Sequence, residues 1–145
     1  MPTGERVDPF RSFNFRVEGI EVASFSEASG LSSDGDAVDY REGTDVRLSV
    51  RKLPGLRKYG NVTLKRGVTN SLALWNWYQN IINGVPDRRD CTIILQNEEH
   101  TDVLRWNLEN AYVNKYEVSA LNATGNEVAM ETVELVHEGL SLEAA

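Results

Sequence analysis

Two histidines, one cysteine and two close pairs of carboxylates are the residues of this chain that could do chemistry. His100 lies in the polar stretch NEEHTD and His137 near the end of the last apolar segment. Neither has a second imidazole or a thiolate at metal-ligand spacing. Cys91 sits in the apolar run CTIIL and reads as a small buried hydrophobe; a lone cysteine makes no internal disulfide and suits a reducing compartment. Glu98, Glu99 and Asp102 around His100 could gather a hard cation, but residues of this kind at a hairpin tip are ordinarily solvated. The pairs Asp34/Asp36 and Glu98/Glu99 lie in polar stretches, with no apolar pocket to make one carboxyl an acid and the other a base. There is no G-x-S-x-G, no Walker-type GK[ST] and no dinucleotide glycine fingerprint, and Gly125 in NATGNE reads as a turn glycine. The residues point to no enzyme, no cofactor and no metal.

Charge is distributed more informatively. The chain holds 22 acidic and 15 basic residues, a net charge of −7. Yet RLSVRKLPGLRKYGNVTLKRG, residues 47–67, carries seven of the basic ones (Arg47, Arg51, Lys52, Arg57, Lys58, Lys65 and Arg66) and no acid. From residue 98 onward there are ten Asp/Glu against two Lys/Arg. Such asymmetry lets one part of a surface attract the complementary part of another molecule; it also serves simply to keep a protein soluble. A single-strand nucleic-acid-binding β-barrel using the basic segment 47–66 is the alternative reading. It suffers from the acidic total and from Tyr59 being the one aromatic there, since such barrels stack bases on several rings.

The elements that would position these residues follow from periodicity. At 145 residues, with 41% hydrophobic and 26% charged positions, the chain suits one domain with a real core. No apolar run approaches 18 residues, and MPTGERVDPFRS lacks a signal-peptide core, so neither a membrane anchor nor a secretory leader is expected. Residues 1–11 read as an N-terminal arm. FNFRVEGIEVASF alternates and breaks at Glu18-Gly19, which predicts a β-hairpin. ASGLSSDGDAV reads as loop with a short strand near 26–31. Residues 34–59 read as a long loop that starts acidic and ends basic, interrupted by Gly43, Pro54 and Gly55 and anchored by Leu48, Val50, Leu53, Leu56 and Tyr59. Pro54-Gly55 reads as a turn within it.

GNVTLKR resumes strand alternation. SLALWNWYQNIIN is the one clear helix, with Asn70 as N-cap, Gly84 at C′ and Pro86 beyond. Leu74, Trp75, Tyr78, Ile81 and Ile82 form its apolar stripe. Trp77 falls off that stripe and is either a half-exposed aromatic or a contact with a neighbour. CTIILQN is apolar on both faces and predicts an interior strand. VLRWNLEN and AYVNKYEVSAL read as two further strands, LNATGNE as a turn, and NEVAMETVELVHEG as the closing strand. Its phase change implies a bulge near 131–132 or apolar contact on both faces. The expected architecture is mainly β: a β-barrel-like sandwich of two antiparallel sheets with one flanking α-helix.

RKLPGLRKYGNVTLKRGVTNSLALWNWYQ resembles the signature of the tail-tube proteins of contractile phage tails and related contractile injection systems. DPFRSFNFRVEGIEVASFSEASGL, YREGTD and LRWNLENAYVNKYEVSALNATGNEVAMETVELVHEGL extend the likeness over about residues 8–140. The short VEGIEV turn departs from relatives that carry an extra residue or two at a hairpin tip. The resemblance implies an Hcp-like fold and a structural, non-enzymatic role. It implies a homo-hexamer, its rings stacking into a hollow tube within a sheath protein, with baseplate and tip proteins at the end and protein effector cargo in the lumen. Assembly would be cytoplasmic, before incorporation into an injection particle or virion tail. The strands of neighbouring copies would line the lumen as one sheet, and a long loop, here 34–59, would reach a neighbour. The inter-subunit contacts expected on that basis are Arg47, Arg51, Lys52, Leu53, Leu56, Arg57, Lys58, Tyr59 and Trp77.

Overall fold

The structure is a computed structural model, and it describes residues 14–21, 25–41, 43 and 51–145. Its elements run β1 (Phe15–Glu18), β2 (Glu27–Ser29), β3 (Ser33–Tyr40), β4 (Arg51–Tyr59), β5 (Val62–Gly67), α1 (Ala73–Ile82), β6 (Arg89–Gln96), β7 (Asp102–Val118), β8 (Met130–Val136) and β9 (Gly139–Ala144). All strand pairs are antiparallel. Hydrogen bonding runs in the order β1-β6-β7-β8-β5-β2, with β9 also on β7, while among the described residues β3 and β4 pair only with each other.

The fold turns on β7. Its first half pairs with β6 on one side and β9 on the other; its second half pairs with β8. VLRWNLEN and AYVNKYEVSAL are therefore one bent strand, not two. The bend falls at Asn110, whose φ of 51° is left-handed, where Arg89 pairs with Ala111 but Cys91 with Leu108. That is a bulge, and asparagine tolerates the conformation better than most residues. The Asp90 carboxylate accepts the Asn110 N–H at 3.0 Å, and the Asn110 amide donates to Glu138. The two halves thus form sheets that face each other: β1-β6-β7-β9 and β7-β8-β5-β2. They do not close into a barrel. On the open side a groove of about 420 Å³ is lined by Phe15, Ala28, Leu31, Ile93, Leu95 and Trp106.

Period-2 burial in β5 and β8 sends Val62, Leu64, Val133 and Leu135 inward to meet Cys91, Ile93, Leu108, Ala111 and Val113. Burial pushes the Cys91 thiol up to about 12, as its place among apolar side chains requires. β6 is interior, as its two-faced apolar pattern predicts; Ile93 and Ile94 are both buried.

Several expectations need correction. Among the described residues β1 pairs with β6 rather than in the expected hairpin, whose second arm at 22–24 lies outside the described residues. Gly19, at φ 89°, lets the chain leave the sheet there, and a Cβ would lie 2.2 Å from the Asp90 carbonyl. β8 has no bulge at 131–132. Its register with β5 is continuous, and Glu131 shares the inward phase of Val133 and Leu135 because Arg66 lies directly opposite it. β9 continues the chain where the sequence reading ended. The helix begins at Ala73 rather than beside Asn70; Leu72 at the N-cap offers no side-chain cap, and the Ser71 hydroxyl accepts the Ala73 N–H at 3.4 Å. Its far end follows the sequence. Gly84, at φ 78°, donates to the Ile81 carbonyl and Val85 to that of Asn80, the paired bonds of a Schellman stop.

The helix is also rotated from its expected face: Leu74 and Trp77 are buried, while Trp75 and Ile82 are exposed. Trp77 is the decisive residue. Its indole N–H donates to the Asp87 carbonyl at 2.7 Å, and the Arg89 guanidinium lies 4.6 Å over its ring. Arg89 also grips the Asp87 carboxylate at 3.1 Å through both oxygens, which lowers that carboxyl's pKa.

Candidate subunit interface

The segment read as a long loop is, in its described part, a two-stranded ribbon. β3 and β4 pair from Ser33–Tyr59 to Tyr40–Arg51, with a register shift between Gly35 and Ala37. Every β3 residue is exposed, and in β4 only Gly55 and Tyr59 are less so. Pro54 is thus a strand residue opposite Ala37, and Pro54-Gly55 is no turn. Proline survives there because the ribbon is all edge.

The basic segment does not stand alone. Asp39 lies opposite Lys52 and ion-pairs with it; Lys58 reaches Asp36 at 3.6 Å. Two acids of β3, Asp39 and Asp36, therefore compensate two lysines of β4 within one chain. Arg57 stretches over Gly35, where a Cβ would lie 1.9 Å from its Nη1.

Among the residues expected at the interface, Arg51, Lys52, Leu53, Leu56, Arg57 and Lys58 come together on β4, with Leu56 the most exposed at 79%. Tyr59 sits at the ribbon's root, its ring centroid 5.6 Å from that of His137. His137 is buried; its Nδ1 lies 3.0 Å from the Gly139 carbonyl and its Nε2 2.9 Å from that of Gly60. Arg47 lies outside the described residues. Trp77 does not belong to the set: fully buried in its own subunit, it has no surface to offer a neighbour. Val38, opposite Leu53, and Tyr40, opposite Arg51, share a ribbon face with Leu53. The alternation D-A-V-D-Y at 36–40 carries the signal for them.

A second feature is the pair of outer strands of the β1-β6-β7-β9 sheet. Among the described residues β1 pairs only with β6 and β9 only with β7. Its outward face is polar and largely self-neutralised. Arg16 binds Glu18 and Asp102, Arg105 approaches Glu18 at 3.4 Å, and Gln96 donates to Asp102 at 3.0 Å. The Arg16 guanidinium holds the Asp102 carboxyl down to about 2. Asp102 is thus engaged away from His100, and no group of three or more His, Cys, Asp or Glu side chains among the described residues is placed to hold a metal.

Two facing antiparallel sheets with one flanking helix and a projecting ribbon define a tail-tube, Hcp-like fold. The T4-like virus tail tube protein gp19 family matches residues 11–141, and the chain belongs to that family. It is a tube subunit by that membership and by its structural neighbours. A chain in the anti-feeding prophage tube-terminating cap is 28% identical, with a TM-score of 0.81 over 99% of each chain. A chain in the extended sheath–tube complex of the extracellular contractile injection system PVC is 27% identical, with a TM-score of 0.79 over 94% of this chain and 93% of that one. Hcp1 from Flavobacterium johnsoniae shares the fold at 13% identity, with a TM-score of 0.56 over 90% of this chain and 95% of that one. A search of curated proteins found no match.

Proposed function

We propose that this chain forms homo-hexameric rings that stack into the inner tube of a contractile injection system. A surrounding sheath drives that tube through a target envelope. The observation that carries the reading is the ribbon of β3 and β4, which projects from a finished core and is exposed along its length. An isolated two-stranded ribbon is marginal in water, so a partner surface is the natural source of its order. Identical copies meeting through unlike surfaces close into rings or extend into stacks according to the rotation between them. The ribbon supplies one such surface, through Arg51, Leu53, Leu56 and Arg57 above all. The outer strands β1 and β9 supply another, where neighbouring copies continue one sheet around the lumen.

The role is mechanical and non-enzymatic. Assembly takes place in the cytoplasm, and the finished tube joins baseplate and tip proteins in a phage-like particle, with protein effectors as lumen cargo. No described helix is long and apolar enough to cross a membrane. Interfaces that hold under load should bury above roughly 2,000 Å² in total. The nucleic-acid alternative is weakened by the ion pairs inside the ribbon, which leave Lys52 and Lys58 already matched. Negative-stain imaging of the purified protein tests the proposal. Hollow rings roughly ten nanometres across, and stacks of them, are expected. A dispersed monomer that binds oligonucleotides would overturn it.

A further inference from the structure

Among the described residues β3 and β4 pair only with each other, so the ribbon is tied to the core at its root. At that root the Gly60 N–H donates to the Ser32 carbonyl at 3.0 Å and closes the two strands together. The Asn61 amide, next in the chain, donates to Glu134 on β8 at 2.6 Å. His137 reaches the Gly60 carbonyl from the two-residue link between β8 and β9. It is 7% exposed.

Both ring nitrogens of His137 face carbonyl oxygens: Nδ1 that of Gly139 at 3.0 Å, Nε2 that of Gly60 at 2.9 Å. A carbonyl oxygen accepts and cannot donate. A neutral imidazole has one N–H, so it would satisfy one carbonyl and turn a bare lone pair on the other, out of water. An imidazolium has two and satisfies both. The surroundings suit that charge. The Tyr59 ring centroid lies 5.6 Å away, within reach of a cation–aromatic attraction. The cations next to these contacts in the chain and the fold, Lys58 and Arg88, are matched by Asp36 and Glu138. That leaves Glu109, beside Gly139, and Glu134, on the Asn61 amide, as the carboxylates about the link.

We propose that His137 carries a proton on both ring nitrogens in the folded chain, and that this imidazolium is the clamp fixing the ribbon's root to the core. One N–H holds the β8–β9 link through Gly139; the other holds the ribbon through Gly60. A charge-assisted bond at each end of the ring resists bending at the root, so the ring sets the direction in which the ribbon leaves the sheet. His137 is thus a positioning residue, acting on whatever the ribbon meets. The proton count stands apart from the tube reading; only its effect on assembly rests on that reading.

The test uses the full-length parent with isotope-labelled histidine. Solid-state NMR reads the ring nitrogens whether the chain is assembled or not. It is run at about pH 7.5, where an ordinary histidine has lost most of its second proton. His100 and His137 are the chain's two histidines, and His100→Gln assigns the signals. His137 is expected to show two protonated ring nitrogens; one bare nitrogen overturns the proposal. His137→Phe keeps a ring against Tyr59 and removes both donors. Amide exchange at Gly60 should then speed up roughly tenfold or more, while the amides of β6 exchange as in the parent. Unchanged protection at Gly60 overturns the clamp. The same variant should lose sedimentable rings and tubes; a parent-like yield from it would overturn the positioning role while the tube reading stands. A parent chain that makes neither rings nor tubes overturns the tube reading, and the NMR and exchange results then decide the clamp by themselves.

Discussion

Two cross-strand ion pairs of this molecule are built alike and sit in opposite surroundings. Arg66 on β5 and Glu131 on β8 lie directly opposite each other between the sheets, at side-chain exposures of 7% and 5%. Lys52 on β4 and Asp39 on β3 are also directly opposite, on a ribbon open to water. The buried pair is fully engaged. The Glu131 carboxylate also accepts the Tyr116 hydroxyl at 2.6 Å, and Arg66 donates to the Ser71 carbonyl at 3.2 Å, tying the approach to α1 onto the sheet. Burial, with the bond to Glu131 next, pushes the Tyr116 hydroxyl up to about 12. Among the described residues no buried side-chain nitrogen or oxygen lacks a partner. The same charge pattern therefore does two jobs. Out of water an ion pair fixes register, because any slip strands a charge; in water it mainly sets solubility and sign.

That contrast can be broken by measurement. Glu131→Ala leaves Arg66 charged and unmatched in the interior, and should cost about 3–5 kcal/mol in chemical denaturation. The double replacement Arg66→Met with Glu131→Leu should recover much of that loss. A loss below about 1 kcal/mol for Glu131→Ala would show the pair to be solvated and remove the contrast. Glycines sharpen the same comparison. Gly30 has φ 87°, and a Cβ would lie 2.0 Å from the Asn61 carbonyl, so Gly30→Ala should lower global stability by about 2 kcal/mol or more. Gly55→Ala meets the Asp36 carbonyl at 2.6 Å, but in the ribbon; its thermal melt should stay close to the parent's while assembly weakens.

Lys52→Ala should change the unfolding free energy by less than about 1 kcal/mol, whatever it does to solubility. The smallest effect expected is one of pH. Arg16 holds the Asp102 carboxyl at about 2, below its ordinary value of 3.8. A carboxyl depressed in the folded state favours folding above its unfolded value, and that contribution fades as pH falls from about 4 toward 2. Denaturation midpoints should therefore fall less steeply over that interval in Asp102→Asn than in the parent. Parallel curves would show the Arg16–Asp102 pair to be without effect.

How far the sequence could be read depended on whether neighbours in the chain were also neighbours in the fold. β5 and β6 and the Gly84 stop of the helix rest on local rules, and the residues carry them plainly. Gly35, Pro54 and Gly55 look like loop punctuation, yet the ribbon uses them as strand residues. As a two-stranded edge it tolerates proline, and it needs glycine where Arg57 and Val38 cross over. On the helix, Leu74, Trp75, Trp77, Tyr78, Ile81 and Ile82 offer two overlapping apolar stripes, so periodicity could not choose between them. Trp77 went inward because its N–H found the Asp87 carbonyl, which no spacing rule foresees. Of the expected interface, the β4 residues do share one element, while Trp77 left it for the core.

By itself the sequence determined a mainly β chain with a single helix, membership of the tail-tube family, and charge concentrated where the ribbon forms. These follow from local alternation, capping and ordered motifs, which need no knowledge of distant contacts. Only the tertiary structure decided that β7 serves two sheets, that Glu131 faces inward onto Arg66, and that Asp39 and Asp36 pair with Lys52 and Lys58 across the ribbon. Each of these depends on which strand lies opposite which. Register is a long-range property: a shift of one residue exchanges the two faces of a strand, and nothing local records it.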